Sequence, residues 1–220
     1  MKVYYLNPPE SQHKRAEWDE GTEQEGIECP KYPGHARGGK RSSPIEVVLP
    51  NRPPDDFVWS WISDCLVQKK VLRLFERHRI TGWKAASAKA RFRRRDLHPP
   101  RLYELVVTGW GGVASGRSGI RIKEWCRYCG HTVYFSAKNV RDLIDEKNWD
   151  GSDIFFVWPL PLYRFVTERV VRVLEENKIT GWRVEPLENL RIRGSFTPGQ
   201  LSYYMPLSRA KRLATSPKMV

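Results

Sequence analysis

Residues 57–83 and 156–182 align without a gap at an offset of 99, with 11 of 27 positions identical. Phe57-Val58-Trp59 matches Phe156-Val157-Trp158. Val67, Val71, Arg73 and Glu76 match Val166, Val170, Arg172 and Glu175. Ile80-Thr81-Gly82-Trp83 matches Ile179-Thr180-Gly181-Trp182. A duplication of this kind requires one supersecondary unit to be built twice. Val67, Val71, Leu74 and Phe75 share a face at helical spacing, as do Val166, Val170, Val173 and Leu174. Each copy is therefore expected to hold an amphipathic helix of about three turns, ending near residue 78 or 177. Gly82 and Gly181 then mark short turns that need positive φ or close packing. Trp83 and Trp182 read as core anchors or strand openers.

The rest of the chain is mostly strand and loop. Residues 2–6 read as a short opening strand, 8–25 as an acidic irregular arm, 36–44 as a flexible basic loop, and Glu46–Leu49 as a strand. Between the copies, Ala85–Ala90 carries little pattern, and Tyr103–Thr108 reads as a strand followed by Trp110 and a Gly-Gly turn. Ile120–Trp125 and Thr132–Phe135 form a hairpin, and Val140–Asn148 a short helix. After the second copy come a strand over Leu190–Phe196 and a frayed basic tail over Ser208–Val220. The fold class is α+β: two related strand–helix–turn–strand halves with a zinc-ribbon-like knuckle unit. Residues 1–99 and 100–220 form the halves, as two units or as one continuous domain.

Four cysteines, Cys29, Cys65, Cys126 and Cys129, suggest no disulfide framework. No apolar run reaches the length of a signal peptide or a membrane span, so a reducing cytoplasm is the expected compartment. There, Cys126-Arg127-Tyr128-Cys129-Gly130 reads as a metal knuckle. The tight turn points both sulfurs at one spot, and Gly130 takes positive φ so that amides can approach them. Redox chemistry is disfavoured, because the knuckle joins two strands instead of opening a helix. Two more ligands are needed. Cys29-Pro30-Lys31-Tyr32-Pro33-Gly34-His35 echoes the knuckle, with Tyr32 at the place of the second cysteine. His35 can fill the gap, giving a structural zinc site of Cys29, His35, Cys126 and Cys129. His131 is the competing fourth ligand and His13 a weaker one. Cys65 reads as a buried thiol at the start of the first helix.

Paired short knuckles about a hundred residues apart, combined with helix-then-Ile-Thr-Gly elements, make the chain resemble the double-CXXCG motif proteins of myxobacteria. The resemblance runs through Cys29-Pro30, Ile80-Thr81-Gly82, the 126–130 knuckle and Ile179-Thr180-Gly181-Trp182, and departs from the family at Tyr32-Pro33-Gly34. It implies an immunity protein that binds and neutralises a cognate bacterial toxin, with no catalysis of its own.

The formal net charge of +13 selects partners without naming them. For an immunity protein it points to a toxin with an acidic contact surface. The alternative is a zinc-ribbon nucleic-acid-binding protein. It would place Arg91, Arg93, Arg94, Arg95, Arg117, Arg121, Lys123 and Arg127 on phosphates and stack Trp125 or Tyr128 on bases. An enzyme is the weakest reading: His78, His98 and His131 have no nucleophile at a telling spacing. The paired carboxylates Asp55-Asp56 and Glu175-Glu176 read as solvated.

Overall fold

The computed structural model describes residues 2–10, 15–61, 63–94 and 96–220. His13 and Arg95 lie outside them. The chain is mixed α+β, mostly sheet, with three α-helices among the described residues. In order the elements are β1 (Val3–Asn7), β2 (Glu17–Trp18), β3 (Gln24–Ile27), β4 (Arg37–Arg41), β5 (Ile45–Leu49), β6 (Phe57–Trp59), β7 (Cys65–Gln68), α1 (Lys69–Arg77), β8 (Trp83–Phe92), β9 (Leu102–Val107), β10 (Gly109–Val113), β11 (Ile122–Trp125), β12 (Thr132–Tyr134), β13 (Ile154–Trp158), β14 (Leu160–Thr167), α2 (Glu168–Glu176), β15 (Arg183–Pro186) and α3 (Leu207–Leu213). No helix among them is long and apolar enough to cross a membrane.

Two larger sheets run β2-β5-β8-β9-β7-β6 and β10-β13-β14-β1-β15. In both, an antiparallel hairpin leads into a helix and the chain returns as a further strand. β6 pairs β7 and β13 pairs β14. The returning strands β8 and β15 do not touch their own hairpins. β9 lies between β7 and β8, and β1 lies between β14 and β15. The strand after the first copy therefore completes the first sheet, while the opening strand of the chain completes the second. The point between residues 99 and 100 falls between β8 and β9, which pair along five residues.

Helix α1 buries Val71, Leu72, Leu74 and Phe75, and α2 buries Val170, Val171, Val173 and Leu174. All eight lie in one core with Leu6, Phe57, Val67, Leu105, Ile154 and Val166. Each helix ends on a left-handed residue, Arg79 or Lys178, both at φ 50°, which turns the chain so that the next amide caps the last turn. Ile80 N–H donates to Phe75 O at 2.9 Å, and Ile179 N–H to Leu174 O at 3.0 Å. Trp83 and Trp182 are half-buried and give their indole N–H to Ile80 O and Ile179 O.

The Ile-Thr-Gly turns lock the copies to each other. Asp56 Oδ2 accepts from Thr180 N–H at 2.9 Å and from its hydroxyl at 3.1 Å; Asp153 Oδ2 accepts from Thr81 N–H at 3.0 Å and from its hydroxyl at 3.1 Å. Phe57 N–H reaches Thr180 O and Ile154 N–H reaches Thr81 O. Lys70 and Arg169, at the starts of the helices, pair with Asp56 and Asp153. Asp56 is thus a buried acceptor, not the solvated carboxylate expected; Glu175 and Glu176 are exposed.

The offset of 99 needs one correction. Phe57 pairs with Val67, and Ile154 pairs with Val166, so Phe57 is matched in space by Ile154, two residues before Phe156. The second hairpin is two residues longer, and the Phe-Val-Trp identity hides this. Val67 and Val166 are also strand residues, and each helix begins two residues later. Cys65 accordingly opens a strand; it is buried, and burial pushes its thiol up to about 12.

Other expectations shift too. The basic loop at 36–44 contains β4, and part of the acidic arm forms β2 and β3. Ala85–Ala90 lies inside the ten-residue β8, held between β5 and β9. The Gly-Gly turn is part of β10. Val140–Asn148 forms only a single 3-10 turn over Val140–Asp142, and Leu190–Phe196 contributes one isolated bridge, Phe196 to Tyr134. The tail is packed, not frayed. Ala210 and Met219 are buried with Trp110, Phe156, Trp158 and Leu201, and Arg209 donates to Thr108 O at 2.6 Å.

Candidate metal centre

Two small hairpins, β3–β4 and β11–β12, carry the knuckles at their tips. In the second, Cys126 N–H donates to His131 O at 2.8 Å and Gly130 N–H to Cys126 O at 2.9 Å, closing a turn in which Gly130 has φ 68°. In the first, Pro33–His35 forms a 3-10 turn, and Tyr32 N–H donates to Cys29 Sγ at 3.3 Å. Pro33 fixes the start of that turn and brings His35 round to face the ligand side.

The ligand atoms of Cys29, His35, Cys126 and Cys129 lie within 4.8 Å of one another, close enough to hold a metal ion. The arrangement is compatible with zinc. A tetrahedron with bonds of about 2.3 Å to sulfur and about 2.05 Å to nitrogen has S–S edges of about 3.8 Å and S–N edges of about 3.6 Å. The Cys29–Cys126 sulfurs are 3.8 Å apart, and Cys129 Sγ lies 3.7 Å from His35 Nδ1. All four cysteines are free thiols. Tyr32, at the place of a fourth cysteine, points away and is 48% exposed. His131 stands outside the quartet with its ring stacked on His35, centroids 4.4 Å apart. Its pKa is lowered by burial and by its neighbours His35 and Arg37.

Arg37, from β4, ties the two tips together. Its Nη2 donates to Cys129 O at 2.7 Å, and its Nη1 to Cys129 Sγ at 3.6 Å and to His35 O at 3.1 Å. Burial opposes ionisation of Cys129, but the His131 amide, Arg37, His35 and Cys29 together bring its thiol down to about 6. The lowering favours the thiolate, the form a metal binds. Cys29 is shifted the other way, raised by burial against the pull of the Lys31 and Tyr32 amides. With a divalent cation bound, three thiolates and a neutral imidazole would leave one net negative charge, which the Arg37 guanidinium would offset. Arg37 had no local signature in the sequence; it joins the site only through the β3–β4 pairing.

Of the cations of the alternative reading, Arg91, Arg93 and Arg94 sit away from the knuckles and are each paired with a carboxylate, whereas Lys123 and Arg127 stand on the second knuckle hairpin. Arg91 pairs with Asp19, Arg93 with Glu17 and Arg94 with Asp96. Lys123 pairs with Glu124, and Arg127 lies over the Tyr128 ring. Scanned against models of known protein families the chain matches none, and it has no significant match among curated proteins.

Proposed function

We propose that this chain is an immunity protein that neutralises a cognate bacterial toxin in the cytoplasm by binding it, braced by one structural zinc ion. The observation that carries the reading is the meeting of Cys29, His35, Cys126 and Cys129 at one point. Knuckles 97 residues apart in sequence supply two ligands each, as the resemblance to double-CXXCG proteins leads one to expect. A closed four-ligand site stabilises a fold and leaves no open position for water activation. The two hairpins would then form a zinc-ribbon-like unit stapling distant segments.

The body is read as two related halves that have exchanged a strand. Val3-Tyr4-Tyr5 in β1 and Leu102-Tyr103-Glu104 in β9 occupy matching registers against β14 and β7, again at an offset of 99. The reciprocal Asp–Thr locks support the same view. Such a scaffold is rigid and offers its surface for recognition. The net charge of +13 favours an acidic partner surface.

The test is co-expression with the product of the adjacent reading frame. The expected result is growth arrest by that product alone, relief by this protein, and a stoichiometric complex whose affinity falls with salt. A neighbouring product that neither arrests growth nor binds this protein would overturn the reading.

A further inference from the structure

Seven large hydrophobic side chains are exposed among the described residues, and four of them, Tyr32, Ile122, Trp125 and Tyr128, stand on the two knuckle hairpins. Tyr32 sits inside the first ligand loop and Tyr128 inside the second. Their rings meet across the gap between the hairpins, 6.4 Å apart and edge-on at 64°. The pair forms where the four ligand residues and Arg37 hold the two tips together. Cations surround it. Lys31 neighbours Tyr32 in the chain, Arg127 lies 4.9 Å over the Tyr128 ring, and Lys218 from the tail lies 4.6 Å over Trp125. Exposed Tyr, Trp and Arg in one patch are the residue types that dominate binding energy at protein interfaces.

We propose that the paired knuckle tips are the docking surface for an acidic protein partner, with Tyr32 and Tyr128 as a joint anchor that enters an apolar pocket rimmed by carboxylates. This rests on the immunity reading and names the face that reading requires. The geometry favours a protein over a single-stranded nucleic acid. Bases stack on open, parallel ring faces, whereas Arg127 and Lys218 each cover one face of Tyr128 and Trp125, and the tyrosine rings meet edge-on instead of forming a parallel platform.

The experiment measures binding of the adjacent reading frame's product to the full chain and to two variants that keep every ligand residue. Tyr32→Ala/Tyr128→Ala should weaken binding by about 30-fold or more. Lys31→Glu/Arg127→Glu should weaken it and flatten its salt dependence. Trp61→Ala, another exposed ring, is the control and should bind like the parent. Metal content and thermal midpoint should be unchanged in all of them. If the parent binds and both double variants bind within threefold of it, the docking surface is refuted while the immunity reading stands. If the parent does not bind, both fail. A labelled oligothymidylate bound by the parent and lost in the tyrosine variant would assign the surface to nucleic acid and overturn the proposal.

Discussion

Replacing Gly82 by alanine tests the lock between the two copies. Gly82 has φ 84°, and an added Cβ would overlap the Ile154 carbonyl oxygen, nearer than the 3.0 Å that real Cβ contacts respect. Gly151 has nearly the same backbone, φ 81°, but a Cβ there meets nothing within 4 Å. Both substitutions incur the left-handed backbone cost, about 1–2 kcal/mol. Only Gly82→Ala must also push the turn away from β13. The hydrogen bonds that cross that junction include Ile154 N–H to Thr81 O and the Thr81 amide and hydroxyl to Asp153 Oδ2. At about 1 kcal/mol for the neutral bond and about 1.5 or more for each bond to the carboxylate, loosening them costs about 3–4 kcal/mol. Gly82→Ala should therefore be less stable than Gly151→Ala by about 3 kcal/mol, or roughly 6–12 °C in thermal midpoint for a chain of this size. Gly181→Ala, which would overlap Phe57 O, should behave like Gly82→Ala. Urea and thermal denaturation of the three variants give the comparison. Equal midpoints for Gly82→Ala and Gly151→Ala would refute the argument that the turn is held by close docking.

Metal analysis should find about one zinc per chain, lost in Cys126→Ser and Cys129→Ser and weakened in His35→Ala. A His35→Ala protein that binds like the parent would hand the fourth position to His131. Arg37→Ala should weaken metal affinity by roughly 10- to 100-fold in a chelator competition, because it removes the donors that orient and charge-balance Cys129. Burial, chiefly, pushes Tyr5 and Tyr204 each up to about 12 from 10.0. The unfolded chain ionises first, so stability is intact below pH 10 and falls by about 2–3 kcal/mol per tyrosine as pH rises from about 10 to about 12. Tyr5→Phe should remove one such step from the alkaline stability profile. Met219→Ala should cost about 2–4 kcal/mol in urea unfolding, whereas a frayed tail would register no change.

The sequence exposed what is local. Cys-x-x-Cys-Gly is a complete turn in five residues, and His35 was legible because its segment copies that turn. The helices were legible through the spacing of Val71, Leu74 and Phe75. What stayed hidden depends on distant partners. Ala86, Ala88 and Ala90 alternate with Ser87, Lys89 and Arg91 along β8, but alanine contributes too little apolar contrast and too little strand preference to announce it. Asp56 looked solvated because its partner, Thr180, lies 124 residues away. The two extra residues in the second hairpin were masked by the Phe-Val-Trp identity. The tail is strongly basic, and its buried positions, Ala210 and Met219, have no common period.

The position of β1 sets a timetable for synthesis. Val3 pairs with Thr167 and Asn7 with Arg183, so β1 must wait for partners made about 160 residues after it. At roughly 5–20 residues per second, the intervening stretch of about 160 residues takes on the order of ten to thirty seconds to make. During that interval Val3 and Leu6 have no sheet to enter, although the strands of the first sheet are all made once β9 is reached, well before β14 and β15. A nascent chain therefore carries β1 as an unpaired apolar strand throughout the synthesis of that intervening stretch.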